Sequence, residues 1–232
     1  MPSEAETINE FIRSYASDLH TSIPARVVSF NAKNQTVDVV PAIDKKLSDG
    51  EVKKRSTLRN VPVHFIGSTS TIVAFPVKAG SCGILIFQEC STDEWVTGTQ
   101  GTSANSVAQD RRMHSSTDAV FIPGIWPYAQ ARSAKAANCN LNEDLAIAHN
   151  LDGTQCTVVL KANGDIIATR SGASFALTNN LLTVNCNLQV NGTITATGTV
   201  TAPQAVINSI PFTTHKHDGV TVGAGSTGNP HA

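Results

Sequence analysis

From Leu182 to Ala202 the sequence alternates almost without error. Even positions carry Leu182, Val184, Cys186, Leu188, Val190, Gly192, Ile194, Ala196, Gly198, Val200 and Ala202. Odd positions carry Thr183, Asn185, Asn187, Gln189 and Asn191, then Thr193, Thr195, Thr197, Thr199 and Thr201. A period of two means β-structure with one dry and one wet face, about 70 Å long if fully extended at ~3.3 Å per residue. Asn191-Gly192 and the earlier Asn163-Gly164 are turn signals that interrupt such a run. The dry side shrinks from Leu and Val to Gly and Ala, so the structure tapers. A lone one-faced sheet leaves its edges open and its apolar rows in water. Copies wrapped around a common axis bury those rows and pair those edges, and three copies make the simplest closed prism. The expectation is an intertwined homotrimeric β-helix shaft over residues 151–212. An ordinary β-sandwich or a monomeric β-solenoid is the competing arrangement.

The shaft runs into Pro211-Phe212-Thr213-Thr214-His215-Lys216-His217-Asp218-Gly219. In a strand His215 and His217 share a face and Lys216 takes the other. Asp218-Gly219 is a hairpin signal, with Val220-Thr221-Val222 as the return strand. One His-x-His is a weak motif. On a three-fold axis, however, two imidazoles from each of three chains place six nitrogens around one point, an octahedral set. Structural zinc takes four ligands; six imidazoles suit iron or another six-coordinate transition metal. A saturated site has no open position, so it staples the apex at 213–232 and does not catalyse. His231 receives no role.

Composition divides the chain. After residue 150 the only charged residues are Asp152, Lys161, Asp165, Arg170, Lys216 and Asp218, and the only aromatics Phe175 and Phe212. The 126–150 stretch has no clean period and reads as a connector. Ahead of it, residues 1–24 read as a helix. Ser3 and Glu6 fit a capping box, Ile8, Phe11, Ile12, Tyr15 and Leu19 form an apolar stripe, and Pro24 is the expected stop. That stripe docks either on its own domain or on a neighbouring subunit. The polar, acidic opening is not expected to be a secretory signal. No apolar run approaches the ~20 residues of a membrane helix. Cys82, Cys90, Cys139, Cys156 and Cys186 are odd in number and lack a CxxC, and are expected to be reduced, buried thiols.

Residues 25–125 read as short strands at 25–31, 36–40, 61–66, 71–77, 82–89, 94–96 and 119–122, punctuated by Asn, Gly, Asp and Pro. After a leading helix, this many short strands suggest a small closed barrel such as an OB-fold. Nucleic-acid binding is weighed against it. Asp44–Arg59 is basic, with Lys45, Lys46, Lys53, Lys54, Arg55 and Arg59, but has no aromatic on which a base could stack. With a formal net charge of −1, the chain has no overall pull toward nucleic acid or anionic membrane. A solvated loop or a protein-docking loop fits better. His64 and His114 read as ordinary polar residues.

Three segments resemble one family. Ala79-Gly80-Ser81-Cys82-Gly83-Ile84-Leu85-Ile86-Phe87-Gln88-Glu89-Cys90-Ser91-Thr92-Asp93-Glu94-Trp95 is similar to a barrel segment of the central spike proteins of contractile phage tails and phage-like bacteriocins, the baseplate assembly protein V type. Arg111 to Gly124, with Arg112, Asp118, Pro123 and Gly124, resembles a second such segment, and Thr214-His215-Lys216-His217-Asp218-Gly219-Val220 its apex motif. Ser81 stands where the family usually has Asp, and Lys216 where Thr is common. The resemblance implies an OB-fold domain docking on tail hub or baseplate proteins, a trimeric β-helix shaft, and one iron ion per trimer held by His215 and His217 of three chains. It implies a virion part at the tip of the tail baseplate, assembled in the host cytoplasm and driven through the host outer membrane when the sheath contracts.

Neither an enzyme nor a small-molecule substrate is expected. Asp218 adjoins His217 and so points to the other strand face, against a facial triad. The Gly-rich 223–228 segment lacks a phosphate-loop Lys, and no G-x-S-x-G occurs. The alternative is a trimeric receptor-binding tail fibre or adhesin tip, which needs exposed aromatic or polar pockets near the end; residues 213–232 have no Phe, Trp or Tyr.

Overall fold

The computed structural model describes residues 3–47, 49–98, 105–108, 110–207 and 210–211. The first element, α1 (Glu4–Asp18), starts on the expected capping box. The Glu6 N–H donates to Ser3 Oγ at 3.3 Å and the Ser3 N–H to Glu6 Oε2 at 2.7 Å. These contacts with Ser3 hold the Glu6 carboxyl below its ordinary range. The helix is shorter than the 1–24 expected. Leu19 is already extended and the next strand opens at Ser22, so Pro24 lies inside a strand and does not stop the helix. Proline is tolerated there because the Pro24 carbonyl accepts the Ala42 N–H at 2.7 Å. In an antiparallel pair a residue's N–H and C=O face the same neighbour. The donor that Pro24 lacks therefore falls past Pro41, the end of that neighbouring strand.

Five strands follow: β1 (Ser22–Asn31), β2 (Thr36–Pro41), β3 (Leu58–Pro62), β4 (Cys82–Phe87) and β5 (Ala119–Pro123). They order as β3-β2-β1-β4-β5, with every neighbouring pair antiparallel. Just past β3, Val63 forms a parallel bridge to Phe121 and the His64 N–H donates to the Phe121 carbonyl at 2.9 Å. This joins the two outer strands. The result is mainly β and compatible with the expected N-terminal helix and OB-like barrel. Two two-residue ribbons, Lys45–Lys46 with Val52–Lys53 and Ile66–Gly67 with Ile72–Val73, cap its long connections. The strand expected at 94–96 is instead a short helix, α2 (Asp93–Thr97). Asp93 and Glu94 in its first turn complement the helix dipole, and Gly98 at φ +66° closes it.

The barrel core comes from alternation. Val37 and Val39 of β2, Leu85 of β4 and Phe121 of β5 are essentially inaccessible, and pack with Ala25, Val27, Val61, Val63, Val77 and Phe87. Gly83 is set by this packing. A Cβ there would lie 2.3 Å from the Ile122 carbonyl oxygen and 2.5 Å from Phe121 Cζ.

A second sheet is a plain antiparallel meander: β6 (Leu145–His149), β7 (Cys156–Leu160), β8 (Ile166–Arg170), β9 (Ala173–Thr178) and β10 (Leu181–Asn185). Asn163-Gly164 is the β7–β8 turn, with Gly164 at φ +91° and the Lys161 N–H donating to the Asp165 carbonyl at 2.8 Å. In the single chain the strand within 182–202 is that of β10, which ends at Asn185. One expectation is corrected. The five cysteines are all free, but Cys82 alone is buried. Cys90, Cys156 and Cys186 are exposed, Cys156 on the face of the meander that the described residues leave open.

The Gly83 contact makes a direct prediction. Gly83→Ala should lower barrel stability by about 2 kcal/mol or more, since neither the Ile122 backbone nor the Phe121 ring has room to move. Urea unfolding of the two proteins side by side measures it; equal midpoints would contradict the packing described.

Candidate functional site

The predicted metal ligands, His215 and His217, lie outside the described residues. The structure instead brings together, from strands too short to stand out individually, a continuous apolar surface.

Register places it. Leu145 pairs with Leu160, Leu160 with Ile166, Ile166 with Leu177 and Leu177 with Leu182. Ile147 pairs with Val158, Val158 with Ala168, Ala168 with Phe175 and Phe175 with Val184. Side chains directly opposite in adjacent strands share a face. Two cross-strand rows, each spanning all five strands, therefore line one side of the meander. That side is open: Leu145 is 65% and Ile147 71% exposed, and Leu160, Phe175, Leu177 and Leu182 are exposed as well. Exposed apolar area this contiguous marks a contact surface.

The opposite side is dressed by the chain itself. Val159 is 1% and Thr157 3% exposed, and Thr157 and Thr169 share a hydroxyl hydrogen bond at 2.6 Å. The preceding connector is tied to the sheet by side chains. Gln155 accepts from the Ala137 N–H and donates to the carbonyls of Lys135 and Leu151. Lys161 Nζ reaches the Asn138 carbonyl at 2.8 Å and Asp144 at 2.9 Å. The Asn140 N–H and then Lys161 hold the Asp144 carboxyl below its ordinary range. Asp152 binds both Arg132 and Lys135, and the Arg132 guanidinium lies 4.6 Å from the Trp126 ring centroid.

On the barrel, a single guanidinium gathers the segments that lead into β5. Arg112 forks onto Asp118 through Nε at 2.5 Å and Nη2 at 2.9 Å. It also binds Asp110 at 2.6 Å and Asp93, at the head of α2, at 2.7 Å. Asp118 is 1% exposed and accepts the Thr92 N–H at 2.9 Å. The Arg112 fork holds the Asp118 carboxyl down to about 2 and raises the guanidinium further above its ordinary range. Asp93 and Arg112 fall in the two quoted barrel segments, far apart in sequence; their contact was not foreseen. A lone Asp before an apolar strand and an Arg in a polar loop give no local sign of pairing.

Compared with known proteins, residues 23–124 match the family model described as the phage protein Gp138 N-terminal domain. The matched span runs from the second residue of β1 through β5, so it is the barrel. No curated protein matches the sequence. The family match supports a phage virion component of tail or baseplate type.

The Asp118 site carries a prediction with a definite sign. Its carboxyl lies near 2 in the folded chain against an ordinary 3.8. The stabilisation is therefore fully present above about pH 4, declines as acid protonates the group, and is gone below about pH 2. Asp118→Asn should cost about 3 kcal/mol at pH 7 by leaving Arg112 without its buried partner. The gap from the unsubstituted protein should shrink between pH 4 and 2 in denaturant titrations.

Proposed function

We propose that the protein is a homotrimeric central spike. Its barrel docks on tail hub or baseplate proteins, and its C-terminal part punctures the host outer membrane on sheath contraction. The observation that carries this reading is the uncovered two-row face of the meander. One chain leaves those rows in water. Three chains arranged around an axis turn them inward, and each Leu, Ile, Val or Phe fully buried contributes about 1.5–3 kcal/mol. The alternation of 182–202 then continues the same design with smaller residues, narrowing the shaft toward its end.

The family match to the barrel supports a virion part; the sequence resemblance supports the spike assignment and the apex metal. The donor set fits such a metal. His215 and His217 of three chains offer six neutral imidazole nitrogens, suited to iron or another six-coordinate ion. Bound there, the ion supplies a cross-link between chain ends where the core is too thin to hold them. The work is mechanical. A narrow tip concentrates force, and Thr and Asn side chains outside the shaft present no apolar patch to the membrane.

Light scattering should return three times the chain mass. Ile147→Asp with Phe175→Asp should abolish that species, because charge is then forced into the shared interior. A monomer for the unsubstituted protein would refute the reading. Elemental analysis should find about one metal per three chains, lost in His215→Ala with His217→Ala while the trimer mass remains. Metal retained at that ratio in the double variant would remove the apex site.

A further inference from the structure

The apolar stripe of α1 is uncovered, with Phe11 74% exposed and Ile8, Ile12 and Tyr15 exposed beside it. The structure also holds a groove of about 380 Å³ where the chain leaves α1 and enters β1. Its apolar lining includes Ile23, Leu58 and Phe87, and its rim carries Lys45, Lys53, Lys54 and Arg55, with no carboxylate among the described lining residues. The α1 segment has the opposite charge: Glu4, Glu6, Glu10 and Asp18 against Arg13. The groove is too small for a helix but suits side chains from one helical face.

Which copy of α1 supplies them follows from length. Leu19 and His20, immediately after the helix, form the groove's own lip. A helix of 15 residues is about 22 Å long. Whatever angle α1 makes with that lip, Glu4 stays about a full helix length from it, so the acidic first turn does not reach its own groove. A neighbouring copy has no such tether. We infer that α1 of each chain docks by its apolar stripe into the basic-rimmed groove of the next copy, linking the barrels around the ring. This rests on the oligomer proposed above and adds a second interface at its opposite end.

The test uses the full chain with a benzophenone side chain in place of Phe11, co-expressed with a differently tagged copy and purified through both tags. Irradiation should give a two-chain band on a denaturing gel, its peptides joining residue 11 to 19–23 or 53–58. Lys53→Glu with Arg55→Glu should lower that yield at least about fivefold, and Glu4→Lys with Glu10→Lys should restore it. Cross-links confined to a single chain, or none to the groove, would overturn the inference. The mass of the same preparation separates the two proposals. A trimer without groove cross-links sinks the helix exchange alone, and a monomer sinks the oligomer beneath it.

Discussion

The constraint on which the molecule depends is that a β-sheet has two faces, and the described residues of this chain cover one of them. Residues 126–144 run along the Val159 and Thr157 side and are fastened there through Gln155, Lys161 and Asp152. The rows built on Leu145 and Ile147 receive no such cover. Paired backbone satisfies the hydrogen bonding of the three inner strands of the meander, so what it still lacks is cover for the apolar rows and partners for its two outer edges. Burial of that one surface decides how the C-terminal half behaves.

The barrel solves a different problem with different means. Its interior is already dry, sealed by Val37, Val39, Leu85 and Phe121, and its ring is joined through Val63 and Phe121. What it needs is order in the long segments between β4 and β5. Arg112 ties Asp93, Asp110 and Asp118 together by donating to carboxylates from three directions, while burial of Asp118 makes the fork specific in position. A planar guanidinium offers several donors in fixed geometry, which a lysine could not. A closed barrel core and an open sheet face suit the spike proposed above, which would hold on by the first and assemble by the second.

Much of the barrel was legible in sequence because alternation and turn residues are local. β1, β2, β4 and β5 fall close to their expected spans, as does the Ser3–Glu6 cap, and Asn163-Gly164 forms a turn. Local signals also misled. Pro24 reads as a helix stop, yet sits in a strand where the missing donor costs nothing. Glu94-Trp95-Val96 has strand-like residues, but acidic residues at its start and Gly98 at its end favour one helical turn. Other features lie beyond any local reading. The Arg112 cluster joins residues distant in sequence, and the rows through Leu145 and Phe175 emerge only when five separate strands are placed in register.

The open sheet face also fixes what stability can mean for this chain. In the trimer proposed above, a surface completed by identical partners would tie the folded state to protomer concentration by mass action. Among the described residues β6 and β10 each have one unpaired edge, the feature by which unrelated chains associate wrongly. For the proposed trimer, production in bursts, many copies at once and near one another, is the regime in which it would mature cleanly, and dilution would act on it as a denaturant.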